Sequence, residues 1–318
     1  MEKLNINQIA EKLSILSQHA LIIEVSSEKP GNVSPQRDFC DMTYEDFVLS
    51  CIITGSGLKE CFEGGLMWKQ GKISAPGLCI GRKIYEIITN IKSSVGVNTQ
   101  LGTVMLAVPT AAGIGSLVSN GNLNFGDNFE NLKNNINKII KSASVEDTLY
   151  LYDAINIACA GGLDVDLDSF ACLDLGDESA KEKIIDREIS FYDIMKISAG
   201  WDGIAGELSN GMPSVFDAAG RILKLQKQGH SLRLCALDAY LYTLAKHPDT
   251  LIARKHGVEI SVDISKYVSD ILDRAGESPM LNSQDIELIE KRLSGKNPGT
   301  TADIVAAALI IAVCKLKF

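Results

Sequence analysis

The chain has 318 residues, 46% of them hydrophobic and 22% charged, with a formal net charge of −9. That is the composition of an ordinary globular protein with length enough for a substantial core. The acidic balance excludes the broad basic footprint needed for non-specific binding to nucleic acid or anionic membranes, while leaving room for a local basic pocket that takes a small polyphosphate.

The opening MEKLNINQIAEKL lacks the basic-then-apolar layout of a secretory signal, so a cytoplasmic protein is expected. Ile6, Ile9, Leu13, Leu16, Ala20 and Ile23 recur at three- and four-residue steps, which predicts a first helix with one apolar face. Three further helix starts pair a hydroxyl with an acid three residues on: Thr43 with Asp46, Ser144 with Asp147, and Ser190 with Asp193. From Ser93 to Gly126 there is no charged side chain. The apolar part of that stretch is interrupted by Pro109, Thr110, Gly113, Gly115 and Ser116 and falls short of a continuous membrane span. A buried central helix is expected there, either inside one subunit or between the two copies of a homodimer.

The polar stretch 119–135 and the charged stretch 174–188 are expected to be surface connections. GLDVDLDSF (162–170) comes nearest to a strand, yet its acidic turn fits a loop better. SLRLCALDAYLYTLAK is apolar nearly all round and predicts a helix inside a bundle; 214–228, 260–275, 283–294 and 300–315 also predict helices. The expected architecture is all-α, a single catalytic domain of about a dozen helices over residues 1–318. None of the eight cysteines stands in a CxxC pair and the four histidines complete no zinc site. Buried free thiols of a reducing compartment are expected.

Four short constellations carry chemistry. The first runs Glu24-Val-Ser-Ser-Glu-Lys-Pro-Gly-Asn-Val33, followed by Asp38 and Asp41-Met42. Lys29-Pro30-Gly31 forces an irregular connection, and such a loop can aim a lysine at phosphate while neighbouring carboxylates hold Mg²⁺. The second is Gly96-Val-Asn-Thr-Gln-Leu-Gly102, where Asn98 and Thr99 can cap the uncharged helix or present its N–H groups to an anion. The third is His247-Pro-Asp-Thr-Leu-Ile-Ala-Arg254, with Asp249 and Thr250 at a helix start. The fourth is Asn297-Pro-Gly-Thr-Thr-Ala-Asp303, where Thr300 and Asp303 also satisfy capping-box spacing. Taken singly, each is equally a turn or a cap.

Taken in order, KPGNV…DM, GVNTxxG, PDTxxxR and NPGTTAD resemble the motif series of the triphosphoribosyl-dephospho-CoA synthase family, from Glu24 to Asp303. The resemblance implies an all-helical enzyme that uses ATP and 3′-dephospho-CoA, or a related cofactor precursor as acceptor, and releases adenine. It differs in having Phe39 and Gln100 where the family usually carries histidines, and Thr300-Thr301 for a Gly-Ser pair. These variants resemble the branch found in archaea and one-carbon-metabolising bacteria. The resemblance implies Glu24 or Asp41 as general base or metal ligand, and Asp249 and Asp303 as further Mg²⁺ ligands. Lys29 and Arg254 would clamp the triphosphate, with Gly31, Asn32, Gly299 and Thr300 around it, and Asn98 and Thr99 would contact ribose or phosphate.

In that reaction an acceptor hydroxyl attacks C1′ of the ATP ribose and a carboxylate stabilises the oxocarbenium-like transition state. Asp41→Asn and Lys29→Ala are expected to spare the fold and abolish adenine release. Rival readings are a kinase or pyrophosphate-releasing transferase of one-carbon-carrier biosynthesis, an ADP-ribosyl hydrolase, and a non-enzymatic helical interaction module in which all four motifs are only turns and caps.

Overall fold

Asn5 and Gln8 form a reciprocal capping box that starts helix α1 (Ile6–Val25), and Thr43 with Asp46 does the same for α2 (Tyr44–Lys69). In a computed structural model, described over residues 5–119, 121–158, 180–276 and 281–318, the helical periodicity becomes fifteen α-helices. After α2 come α3 (Ile80–Val95), α4 (Leu101–Ser116), α5 (Glu130–Ser142), α6 (Val145–Ala158) and α7 (Ala180–Asp186). Then follow α8 (Phe191–Ser198), α9 (Gly203–Asn210), α10 (Pro213–Lys227), α11 (Leu232–Lys246) and α12 (Thr250–His256). The described chain ends with α13 (Val258–Ala275), α14 (Ser283–Arg292) and α15 (Gly299–Lys317). The only sheet among these residues pairs Val118–Ser119 with Asn122–Leu123. The molecule is all-α, as its periodicity predicts.

The uncharged stretch is buried as expected: every residue of α4 from Thr103 to Ser116 is out of solvent. It packs on α2 and on α15, whose residues Ile304–Cys314 are likewise buried, and α1 and α10 flank α15. Apolar residues from α1 through α15 join in one hydrophobic cluster around this pair. By length and composition α15 alone among the described helices is able to cross a membrane, but 72% of its apolar window is buried inside the fold.

Two expected connections differ. The stretch 119–135 contains the small hairpin, a 3₁₀ turn at Asp127–Phe129 and the start of α5, because Leu132 and Ile136 give it an apolar face that the dense asparagines conceal. In 174–188 the described part forms α7, with Ile184 buried; the remainder, and GLDVDLDSF, lie outside the described residues. Cys51, Cys61, Cys235 and Cys314 are buried free thiols, whereas Cys40 and Cys79 are exposed.

Candidate active site

Four helices that open within or just after the motifs, or beside them in space, begin around one cavity of about 960 Å³. Its lining includes Glu24, Lys29, Asn32 and Asp41 from the first motif, Asn98 and Thr99 from the second, Thr250 and Arg254 from the third, and Gly299, Thr300 and Asp303 from the fourth. The starts of α9, α12 and α15 are stitched by hydroxyls: Thr250 Oγ1 accepts from Gly203 N at 3.0 Å and lies 3.0 Å from Thr300 Oγ1.

The Lys29-Pro-Gly loop is fixed from several sides. Tyr240 donates its hydroxyl to the Pro30 carbonyl at 2.7 Å, and Arg37 pairs with Glu290 at 2.9 Å while Gly31 N points at the same carboxylate. Gly31 adopts φ +80°, and a Cβ there would stand 2.9 Å from the Lys296 carbonyl, so it shapes the loop without lining the cavity. Asn32 Nδ2 donates to Asn297 Oδ1 at 2.7 Å, joining the first motif to the fourth.

Lys29, expected to clamp the triphosphate, lies in the cavity wall but is itself buried. Its side chain is 1% exposed; Nζ donates to the Glu24 carbonyl at 2.5 Å and lies 3.1 Å from Glu24 Oε1. That second contact is an ion pair by distance, without the alignment of a hydrogen bond. Burial raises the Glu24 pKa against the opposing pull of Lys29.

Asp249 differs from its expected role. Its Oδ1 accepts from Leu251 N and Ile252 N, capping α12, and its Oδ2 accepts from Thr301 N and Thr301 Oγ1 at 2.8 Å. With four hydrogen bonds and no place in the cavity wall, it braces α12 against α15. Among the described residues no three of His, Cys, Asp or Glu are grouped to hold a metal. Asp41 is solvent-exposed at the cavity.

Asp303 is a strongly perturbed acid of the cavity. Burial pushes its pKa up to about 7, against the hydrogen bond from Thr103 Oγ1 at 2.5 Å and with Glu24 and Asp249 adding repulsion. Asn98 Oδ1 accepts from Leu101 N at 3.2 Å, the capping role, and Thr99 Oγ1 lies 2.6 Å from Ser50 Oγ. Gln100 turns inward, accepting from Thr54 Oγ1 and donating to Cys51 Sγ, while Phe39 lines the cavity.

Sequence reasoning missed Trp201 and Asp202. Asp202 Oδ1 caps α9 at Ala205 N and its Oδ2 takes Arg254 Nη1 at 2.5 Å, so it holds the guanidinium in the cavity wall. The available signal was a Trp-Asp-Gly helix start containing one of only two tryptophans in the chain. Lys92 and Lys255 also line the cavity.

The chain matches the family model described as ATP:dephospho-CoA triphosphoribosyl transferase over residues 10–317. A Malonomonas rubra protein provisionally named as a 2-(5''-triphosphoribosyl)-3'-dephosphocoenzyme-A synthase is 24% identical over 324 residues, covering 96% of this chain and 88% of that one. A crystal structure from Archaeoglobus fulgidus, provisionally titled as a triphosphoribosyl-dephospho-CoA synthase, aligns with a TM-score of 0.58 at 19% identity. That alignment covers 82% of this chain and 98% of the other, and the likeness is one of fold.

Proposed function

The chain belongs to the ATP:dephospho-CoA triphosphoribosyl transferase family, and from that premise we propose that its cavity holds ATP beside 3′-dephospho-CoA and moves the triphosphoribosyl group to an acceptor hydroxyl, releasing adenine. The observation that carries this reading is the single cavity gathering residues of all four motifs. Its volume of about 960 Å³ lies near the top of the roughly 300–1,000 Å³ range of small-molecule sites, which suits two nucleotide-sized substrates. One hydrophobic cluster runs from α1 to α15, so we treat the chain as one catalytic domain. The buried free thiols suit a reducing cytoplasm.

In the reaction the acceptor oxygen bonds to C1′ as the C1′–N9 bond breaks. The hydroxyl proton passes to a base, and adenine leaves and takes up a proton. Positive charge develops on the ribose, so a carboxylate beside C1′ lowers the barrier. Asp303 suits the base better than Asp41 or Glu24. Its pKa of about 7 matches a proton acceptor working near neutrality, whereas Asp41 is open to water and Glu24 is engaged with Lys29. Arg254, Lys92 and Lys255, with the N-terminal ends of α4 and α15, supply positive potential for the triphosphate. Magnesium enters in this reading as a counter-ion on that triphosphate, because among the described residues no three carboxylates are grouped to hold an ion.

The test is product analysis. Purified protein with Mg-ATP and 3′-dephospho-CoA is expected to release free adenine together with an acceptor heavier by one triphosphoribosyl group. ADP or pyrophosphate in place of adenine would assign the kinase or pyrophosphate-releasing chemistry instead.

A further inference from the structure

Five buried side-chain polar atoms among the described residues have no hydrogen-bond partner, and four of the five belong to residues lining the cavity. They are Glu24 Oε1, Asn32 Oδ1, Trp201 Nε1 and Arg254 Nε; Thr89 Oγ1 is the fifth. Glu24 Oε1 is ion-paired with Lys29, but the other three lack any partner, and unpaired buried polar atoms are costly and rare in folded proteins, so their concentration at one cavity marks places a ligand fills. They divide by sign. The two acceptors sit on α1 and the loop that follows it, and the two donors sit beside α9 and on α12.

The two donors are connected through one residue. Asp202, next to Trp201 in the chain, is fixed by capping α9 and grips Arg254 Nη1, so the guanidinium is oriented while its Nε–H is left unpaired. An indole N–H only donates and an arginine N–H only donates, so a partner common to both must accept two hydrogen bonds. A phosphate oxygen is such a group, and arginine binds it with charge-assisted hydrogen bonds.

We propose that the Trp201 indole N–H and the Arg254 Nε–H together bind one phosphate group of a nucleotide substrate, which makes Trp201 a further substrate-binding residue. The identity of that nucleotide rests on the transferase reading above; the anion receptor itself does not. Two sources carry the same chemistry, the triphosphate of ATP and the diphosphate of dephospho-CoA.

Trp201→Phe keeps an aromatic ring and removes the donor. Calorimetry is expected to show inorganic tripolyphosphate or pyrophosphate binding to the wild-type protein and binding about tenfold more weakly to the variant. In turnover, KM rises by about tenfold for the substrate whose phosphate is held, with kcat within about twofold. A rise confined to ATP assigns the triphosphate, and one confined to dephospho-CoA assigns the diphosphate; either supports the receptor. Anion affinities and both KM values equal to wild type overturn it. Trp68→Phe gives a second measurement that does not depend on removing the indole. It leaves Trp201 as the only tryptophan in the chain, and its emission is expected to move as either anion saturates; an unmoved spectrum at saturation counts against the proposal. Anion binding needs no turnover, so a wild-type protein that binds tripolyphosphate but releases no adenine would sink the family reaction and leave the receptor standing.

Discussion

Gly102 and Asp303 are packed so closely that a methyl group on Gly102 would overlap Asp303 Oδ2. The next residue, Thr103, donates its hydroxyl to Asp303 Oδ1 at 2.5 Å, so the start of α4 closes over the carboxylate at the start of α15. Two motifs far apart in sequence meet at one half-buried acid. Packing of that kind desolvates the acid, and desolvation is the main cause of its raised pKa.

Gly102→Ala is therefore expected to cost stability and activity together. Overpacking a tight helix contact costs about 1–3 kcal/mol, and any relief has to come from moving Asp303 away from its Thr103 partner. Thermal denaturation and adenine release measure the two effects. Adding Asp303→Ala in the same chain removes the overlap and should restore much of the melting temperature without restoring turnover. A single variant that melts like wild type would mean that the contact yields at little cost.

Lys29 also behaves differently from a surface clamp. It is almost wholly buried against Glu24, and removing one partner of a buried ion pair costs about 3–5 kcal/mol because the other charge is stranded. Lys29→Met is expected to lose stability on that scale in denaturant titrations, and the double variant Lys29→Met/Glu24→Gln to recover a large part of it. Equal losses in the single and double variants would show that the charge pair is not what makes Lys29 necessary. Lys29→Ala is expected to lose stability for the same reason, in place of sparing the fold.

Much of the fold is legible in local patterns. The absence of charge from Ser93 to Gly126 marks α4 as interior, and the Thr43–Asp46 spacing marks the start of α2, because both depend on residues near one another in the chain. The order of the four motifs places most of the cavity wall, including Glu24, Asn98, Arg254 and Asp303. What sequence does not resolve is which polar group is consumed by the protein itself. Asp249 and Asp303 both stand near helix starts as acids beside threonines, yet one spends its oxygens on backbone and hydroxyl donors and the other faces the cavity. Trp201 and Asp202 escaped because they sit in the short connection between α8 and α9, and their link to Arg254 spans 52 residues.

Asp249 gives a prediction that separates bracing from metal binding. Asp249→Asn replaces an oxygen that accepts hydrogen bonds by an amide that donates them, leaving backbone N–H groups of α12 or α15 unpaired at about 1–3 kcal/mol. Melting curves of wild type and variant are expected to differ by the same amount with and without MgCl₂. A stabilisation by Mg²⁺ that the wild type shows and the variant lacks would return Asp249 to the metal site.

The acid at the centre of the cavity makes opposite demands on stability and on rate. Burial raises the Asp303 pKa from an ordinary 3.8 to about 7, so the folded chain holds this proton more tightly than the unfolded one. The stability it contributes is fully present below about pH 4 and is lost as pH rises through about 7. Ligand-free wild type is thus expected to lose more stability between about pH 5 and about pH 8 than Asp303→Asn does. A base must be ionised, so kcat/KM for adenine release runs the other way, rising through about pH 7 and levelling above it. Asp303→Asn should remove that rise and cost on the order of 10²–10⁴-fold in rate. A wild-type kcat/KM that stays flat from about pH 5 to about pH 9 would deny Asp303 the role of base, and a variant with near wild-type rates would move that role to Glu24 or Asp41.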